Sequence, residues 1–184
     1  MAVAKKRSVI CFDQKTGKVL WQRDTIYKEP EPTHNTNPFC SATPVTDGER
    51  VVASHGSAGL VCYDMKGKLL WKHDVGKLDH VWGHASSPSI YGDLVILWCG
   101  PGSKQRLLAV NKNSGKKVWE HIEPQSKKGS ILQGTWATPT VVRVGERDQL
   151  LLPFPYVMKG FDPKTGQELW KSEGRPRSPK TVLR

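Results

Sequence analysis

The chain is short of cysteine and pairs none of it in sequence. Cys11, Cys40, Cys62 and Cys99 form no C-x-x-C and no adjacent Cys-Cys, and no Cys/His spacing typical of zinc is present, so no metal or dithiol redox motif is expected. Long apolar runs are missing too. Hydrophobic residues make up 37%, mean hydropathy is −0.50, and no run approaches the roughly 18 residues that a spanning helix needs, which excludes a helical membrane span. Residues 1–7 enter the apolar stretch at 9–12 without an h-region or a small-residue cleavage site, so no secretion signal is read there. There is no G-x-S-x-G elbow, no glycine-rich loop opening a helix and no convincing helix, which argues against hydrolase and nucleotide chemistry.

Acidic residues are the scarcer charge, 17 against 28 basic, for a net charge of +11. Such an excess suits a phosphate partner only when it is clustered. Here Lys15, Lys18, Lys66, Lys68, Lys112, Lys116, Lys117 and Lys164 fall on recurring turns, as solvated rims would, and no nucleic-acid partner is expected. The basic, proline-containing segment 175–184 lacks strand alternation and is expected to be a disordered tail.

What is present is a repeat. DQKTGKVLW at 13–21, DMKGKLLW at 64–71, NKNSGKKVW at 111–119 and DPKTGQELW at 162–170 align in one register, with their tryptophans 50, 48 and 51 residues apart. Asp13, Asp64, Asn111 and Asp162 open a turn through the side chain. Gly17, Gly67, Gly115 and Gly166 supply its positive φ, and Trp21, Trp71, Trp119 and Trp170 anchor the returning strand. An apolar strand precedes each turn, and the column two before the Asp or Asn reads Cys11, Cys62, Ala109, Gly160, a slot for small side chains. Upstream, SATPV at 41–45, ASSPS at 85–89 and WATPT at 136–140 each lead through a turn into a second apolar strand.

Each full repeat therefore holds four short strands, A to D, in an antiparallel meander, because the turns are too short for parallel crossovers. Four-stranded units at this period predict an all-β chain, a partial β-propeller of four-stranded antiparallel blades. The expected units are a half blade of strands C and D at 8–26 and blades at 40–76, 85–122 and 136–174. Nothing before Val9 supplies strands A and B of the first blade. The count falls short of the roughly four to eight blades that close a ring, and two copies would still lack those strands. The chain is thus expected to be a truncated or split piece of a larger propeller, or to pair with another chain.

The run from a Ser/Thr-Pro strand to an Asp-x-x-Thr-Gly-x-x-x-Trp hairpin resembles the pyrroloquinoline-quinone (PQQ)-like repeat over roughly residues 8–174. That family includes quinoprotein alcohol dehydrogenases and the propeller lipoprotein of outer-membrane barrel assembly. WD repeats are shorter and end a strand in Trp-Asp, a different arrangement within the same broad architecture. The resemblance implies a bacterial protein, periplasmic or secreted. In the dehydrogenases it implies a quinone stacked between a Trp and an adjacent Cys-Cys disulfide, calcium held by Glu, Asn and Asp, and an Asp base. Here adjacent cysteines are absent, and Glu29, Glu31, Asp79 and Glu123 show no pairing to such a ligand set.

Sorting loops by face places the short turns on one side. On the other lie the long segments 26–39, 77–84 and 122–135, with the loops at 55–59, 98–106 and 153–156. His34, Asn35, His55, His80, Trp82, His84, Trp98, Gln133 and Trp136 map there. They are candidates for a rim with aromatic walls and imidazole donors. Two alternatives stay open: Trp82 and Trp136 plug crevices between blades, or His34, His55 and His84 hold a metal. The expected function is a non-catalytic scaffold that binds a protein, peptide or glycan through this face, with no metal and no cofactor. The alternative is a fragment of a PQQ-dependent alcohol or sugar dehydrogenase, with PQQ and calcium.

Overall fold

The computed structural model describes residues 2–3, 5–124 and 134–173. The repeat turn folds as its residue types dictate. Asp13 Oδ1 accepts from the Lys15 and Thr16 amides at 3.1 and 2.7 Å, and Asn111 Oδ1 accepts from Asn113 and Ser114, both at 3.0 Å. Asp162 Oδ1 does the same for Lys164 and Thr165 at 2.7 and 3.2 Å. The turn then closes through a glycine at φ 68, 78, 69 and 73° for Gly17, Gly67, Gly115 and Gly166, where a Cβ would be strained.

Among the described residues fifteen strands result, in four antiparallel sheets. The first sheet holds β1 (Ala2–Val3), β2 (Lys6–Phe12) and β3 (Val19–Ile26). The second holds β4 (Val45–Thr46), β5 (Arg50–Ser54), β6 (Leu60–Asp64) and β7 (Leu69–His73). The third holds β8 (Ser89–Tyr91), β9 (Leu94–Cys99), β10 (Arg106–Asn111) and β11 (Lys117–Ile122). The fourth holds β12 (Thr140–Val144), β13 (Arg147–Phe154), β14 (Val157–Phe161) and β15 (Glu168–Glu173). The only helical element among the described residues is a single 3-10 turn, Gly56–Ala58. Each of the last three sheets is a four-stranded meander, so the fold is all-β with propeller blades. Where patterning gives the first blade a C-D hairpin alone, Ala2 and Val3 add a short third strand paired with Arg7 and Lys6. The tail at 175–184 lies outside the described residues.

Successive sheets pack face to face through three apolar clusters. Val9 and Trp21 meet Ala53, Val61 and Tyr63; Cys62 and Trp71 meet Val95, Leu97, Leu108 and Val110; Ala109 and Trp119 meet Leu150, Leu152 and Phe161. Each tryptophan stands directly across from the small-residue column, Cys11↔Trp21, Cys62↔Trp71, Ala109↔Trp119 and Gly160↔Trp170. The Ser/Thr-Pro strands add a polar seam: Ser87 Oγ accepts from the Thr43 amide at 2.8 Å, and Thr138 Oγ1 accepts from the Ser87 amide at 3.1 Å. Hydroxyls at this column therefore tie the second blade to the third and the third to the fourth.

Candidate functional site

The B-to-C loops and the D-to-A crossings gather at one end of the sheets. Beneath their surface lies a buried ionic cluster. Arg7, at the start of β2, is fully buried and ion-paired with Glu31, whose side chain is almost wholly enclosed. The guanidinium also faces the Phe39 ring at 4.6 Å and the Tyr27 ring at 5.2 Å, so it is held by aromatic faces as well as by charge. Glu31 Oε1 accepts from the Ser57 amide at 2.7 Å and lies 3.7 Å from His84 Nδ1. Gly56 makes room for His84: a Cβ at 56 would stand 1.9 Å from its Cε1. His55, also buried, has its basicity pushed down to about 4, first by burial and then by the Arg7 charge. Burial lowers His84 as well, with Glu31 pulling the other way and Arg7 adding to the fall.

Above this layer stands an aromatic group. Trp82 and Trp136 lie 5.7 Å apart and tilted, and His80 meets them edge-on at 5.8 and 5.0 Å. Both indoles are half-buried. Trp136 Nε1 donates to the Gly83 carbonyl at 3.0 Å, and Asn37 donates to the Trp82 carbonyl at 2.5 Å, so three crossing segments are locked together. Beside them a crevice of about 580 Å³ opens between Val75, Lys77, Asp79, Lys104, Arg106 and Ile122.

The candidate residues do not all meet. Trp98 belongs to the core instead of the rim: it is buried, packs edge-on against Phe154 at 5.3 Å and donates to the Thr135 carbonyl at 2.7 Å, because β9 turns it toward the fourth sheet. His55 and His84 lie under the surface, whereas His34 and Asn35 are exposed and His34 Nδ1 bonds locally to Thr36 at 2.7 Å. Gln133 lies outside the described residues. Among the described residues the one three-ligand grouping is His121, Glu123 and Glu168, so His34, His55 and His84 do not converge on a metal. Lys159 already sits in that grouping, 2.7 Å from Glu123 and 2.9 Å from Glu168. Asp79 is also committed, accepting from the Ser103 amide at 2.8 Å and from its hydroxyl. Patterning missed Arg7, which reads as part of a basic start. No local signal marks it, since its partner stands 24 residues away.

The comparisons agree with this fold. The family model for outer membrane protein assembly factor BamB matches residues 5–181. The quinoprotein ethanol dehydrogenase of Pseudomonas aeruginosa is 31% identical over 140 residues, covering 68% of this chain and 21% of that protein. BamB from Moraxella catarrhalis superposes with a TM-score of 0.57 at 18% identity, over 90% of this chain and 42% of its own. A europium-containing methanol dehydrogenase does so with 0.63 at 15% identity, over 92% and 38%. The chain spans less than half the length of each of these relatives. No helix among the described residues is long and apolar enough to cross a membrane. With the family model matched along nearly its whole length and the blades in place, the chain belongs to the PQQ-like β-propeller repeat family of outer membrane protein assembly factor BamB.

Proposed function

We propose that this chain is a non-catalytic propeller segment that binds an extended segment of a partner protein across its loop face. The observation that carries this is the Trp82–Trp136–His80 cluster, half-buried and locked by the crossing segments. Rigid aromatics that keep one face wet are the anchors that protein contacts favour. The adjoining crevice has the size of an ordinary ligand pocket and adds Lys77, Lys104 and Arg106 for backbone carbonyls or acidic side chains. Family resemblance supports a periplasmic or secreted setting. It also supports a protein partner over a glycan, because one matched relative is an assembly factor for outer membrane proteins.

The dehydrogenase alternative draws on the 31% identity to quinoprotein ethanol dehydrogenase. The residues present do not fit quinone and calcium. The four cysteines are free and none is adjacent to another, and the one carboxylate-rich grouping among the described residues already holds the Lys159 ammonium between its two carboxylates. A calcium ion needs about six to eight oxygens, more than that grouping offers.

The test is selection of a displayed peptide library on the purified chain, with Trp82→Ala as counter-screen. Selected peptides are expected to lose at least about tenfold in affinity on Trp82→Ala and again on Trp136→Ala. Peptides indifferent to both variants sink the proposal. Calorimetric binding of pyrroloquinoline quinone with calcium would instead favour the dehydrogenase alternative.

A further inference from the structure

Val75 and Glu123 hold the same place in successive repeats, four residues after Trp71 and Trp119 and just past strand D. At the later position the carboxylate meets a cation of its own chain. Lys159 Nζ donates to Glu123 at 2.7 Å and to Glu168 at 2.9 Å, and Glu123 and Lys159 both line a crevice of about 160 Å³ between the third and fourth blades. At the earlier position the residue is apolar. Val75 is fully buried, and the larger crevice of about 580 Å³ that it lines, between the second and third blades, gathers Lys77, Lys104 and Arg106 with no carboxylate in the place of Glu123.

The acids that do line the larger crevice are engaged. Asp79 accepts from the Ser103 amide at 2.8 Å and from its hydroxyl, and Glu120 accepts from Lys117 at 2.7 Å while lying 3.6 Å from Arg106 Nε. Arg106 is pinned by main-chain carbonyls, Nη1 donating to Lys104 at 2.9 Å and Nη2 to Val75, so its guanidinium stands fixed in the lining. Lys77 and Lys104 are exposed and pair with no carboxylate among the described residues. The second and third sheets each hold all four strands, so complete blades bound the crevice on both sides.

Resting on the reading that a partner segment crosses the loop face, we propose that this segment is acidic and seats an Asp or Glu side chain in the crevice between the second and third blades, against Lys77, Lys104 and Arg106. The incoming carboxylate does for this crevice what Glu123 does for the next one. Hydrogen bonds between ionised groups are the stronger kind, and a guanidinium already held in place loses little freedom in making one. Ile122, 69% exposed, adds an apolar patch to the same lining for the stem of the acidic residue. Asp79 of the crevice directly precedes His80 of the aromatic group, so a short extended segment reaches both.

A displayed peptide library selected in parallel on the unaltered chain, on Trp82→Ala and on the double variant Lys77→Glu/Lys104→Glu tests this. Both lysines are exposed, so the double variant is expected to keep the circular dichroism spectrum and melt of the parent. Peptides selected on the unaltered chain are expected to be enriched in Asp and Glu, and those selected on the double variant to lose that enrichment. Changing the Asp or Glu of one selected peptide to Asn or Gln is expected to weaken binding to the unaltered chain about five- to tenfold and to leave binding to the double variant no weaker. Peptides that need Trp82 but show no acidic enrichment, or whose enrichment survives on the double variant, overturn this inference and leave the proposed function standing. Acidic peptides that respond to the lysines but ignore Trp82 support the crevice and sink the aromatic reading.

Discussion

Trp71 and Trp170 hold the same place in the repeat, seven or eight residues after the residue that opens the turn, yet their surroundings differ. Trp71 is buried, seated on Gly115 and bonded to the Lys112 carbonyl, with an apolar cluster continuous behind it. Trp170 meets no turn glycine of another blade among the described residues and lies against Gly160 of its own sheet. The glycines show the same division, Gly115 under an indole ring and Gly17 facing open space. The repeat motif thus makes a hairpin anywhere, but a junction only where a second blade supplies the other half.

The largest expected break in that comparison is at the tryptophans. Trp71→Ala should lower unfolding free energy by about 3–5 kcal/mol, as loss of a large buried aromatic does, whereas Trp170→Ala should cost about 1 kcal/mol or less in the monomer. Urea denaturation of the two variants measures this, and equal losses would show that the terminal indole is as embedded as the internal one. The glycines sharpen the point because both carry the same backbone strain. Gly17→Ala should cost the about 1–2 kcal/mol of a left-handed alanine, and Gly115→Ala should cost that plus about 1–3 kcal/mol for pushing into the Trp71 ring.

The smallest effect concerns the first junction, whose loop end holds the Arg7–Glu31 pair with His55 and His84. The folded-state value of His55 is depressed to about 4 from an ordinary 6.5, so between these values the unfolded chain binds a proton that the folded chain refuses. Stability contributed by neutral His55 is therefore present above pH 6.5 and falls as pH drops toward 4. His84 shifts in the same direction, through burial and Arg7 and against Glu31. The expected loss is on the order of 1 kcal/mol between pH 7 and pH 5.5. His55→Gln should flatten the profile of melting temperature against pH, and an unchanged slope would mean that the cluster opens to water before it protonates.

Much of the fold was legible in the sequence because it depends on near neighbours. An Asp or Asn three or four residues before a glycine forms its turn by accepting from the amides that follow it, and the small-residue column is set by the tryptophan directly across the hairpin. The candidate site was legible only in outline. Loop sorting brings Trp82, His80 and Trp136 to one end, but alternation along a strand could not tell that Trp98 points into the third junction, since both faces of β9 are buried and apolar. Arg7 has the opposite problem: its sequence surroundings are those of an exposed basic start, and only Glu31, Tyr27 and Phe39 closing over it make it a buried group.

By itself, then, the sequence determined the hairpins, their period and the meander that joins them, because each is specified by contacts within a few residues or across a single turn. Tertiary structure alone decided which tryptophans find seats, which rim residues sink into the core and which carboxylates are already paired. Those outcomes depend on groups from different blades arriving at the same place, and nothing within one repeat records what its neighbour will present.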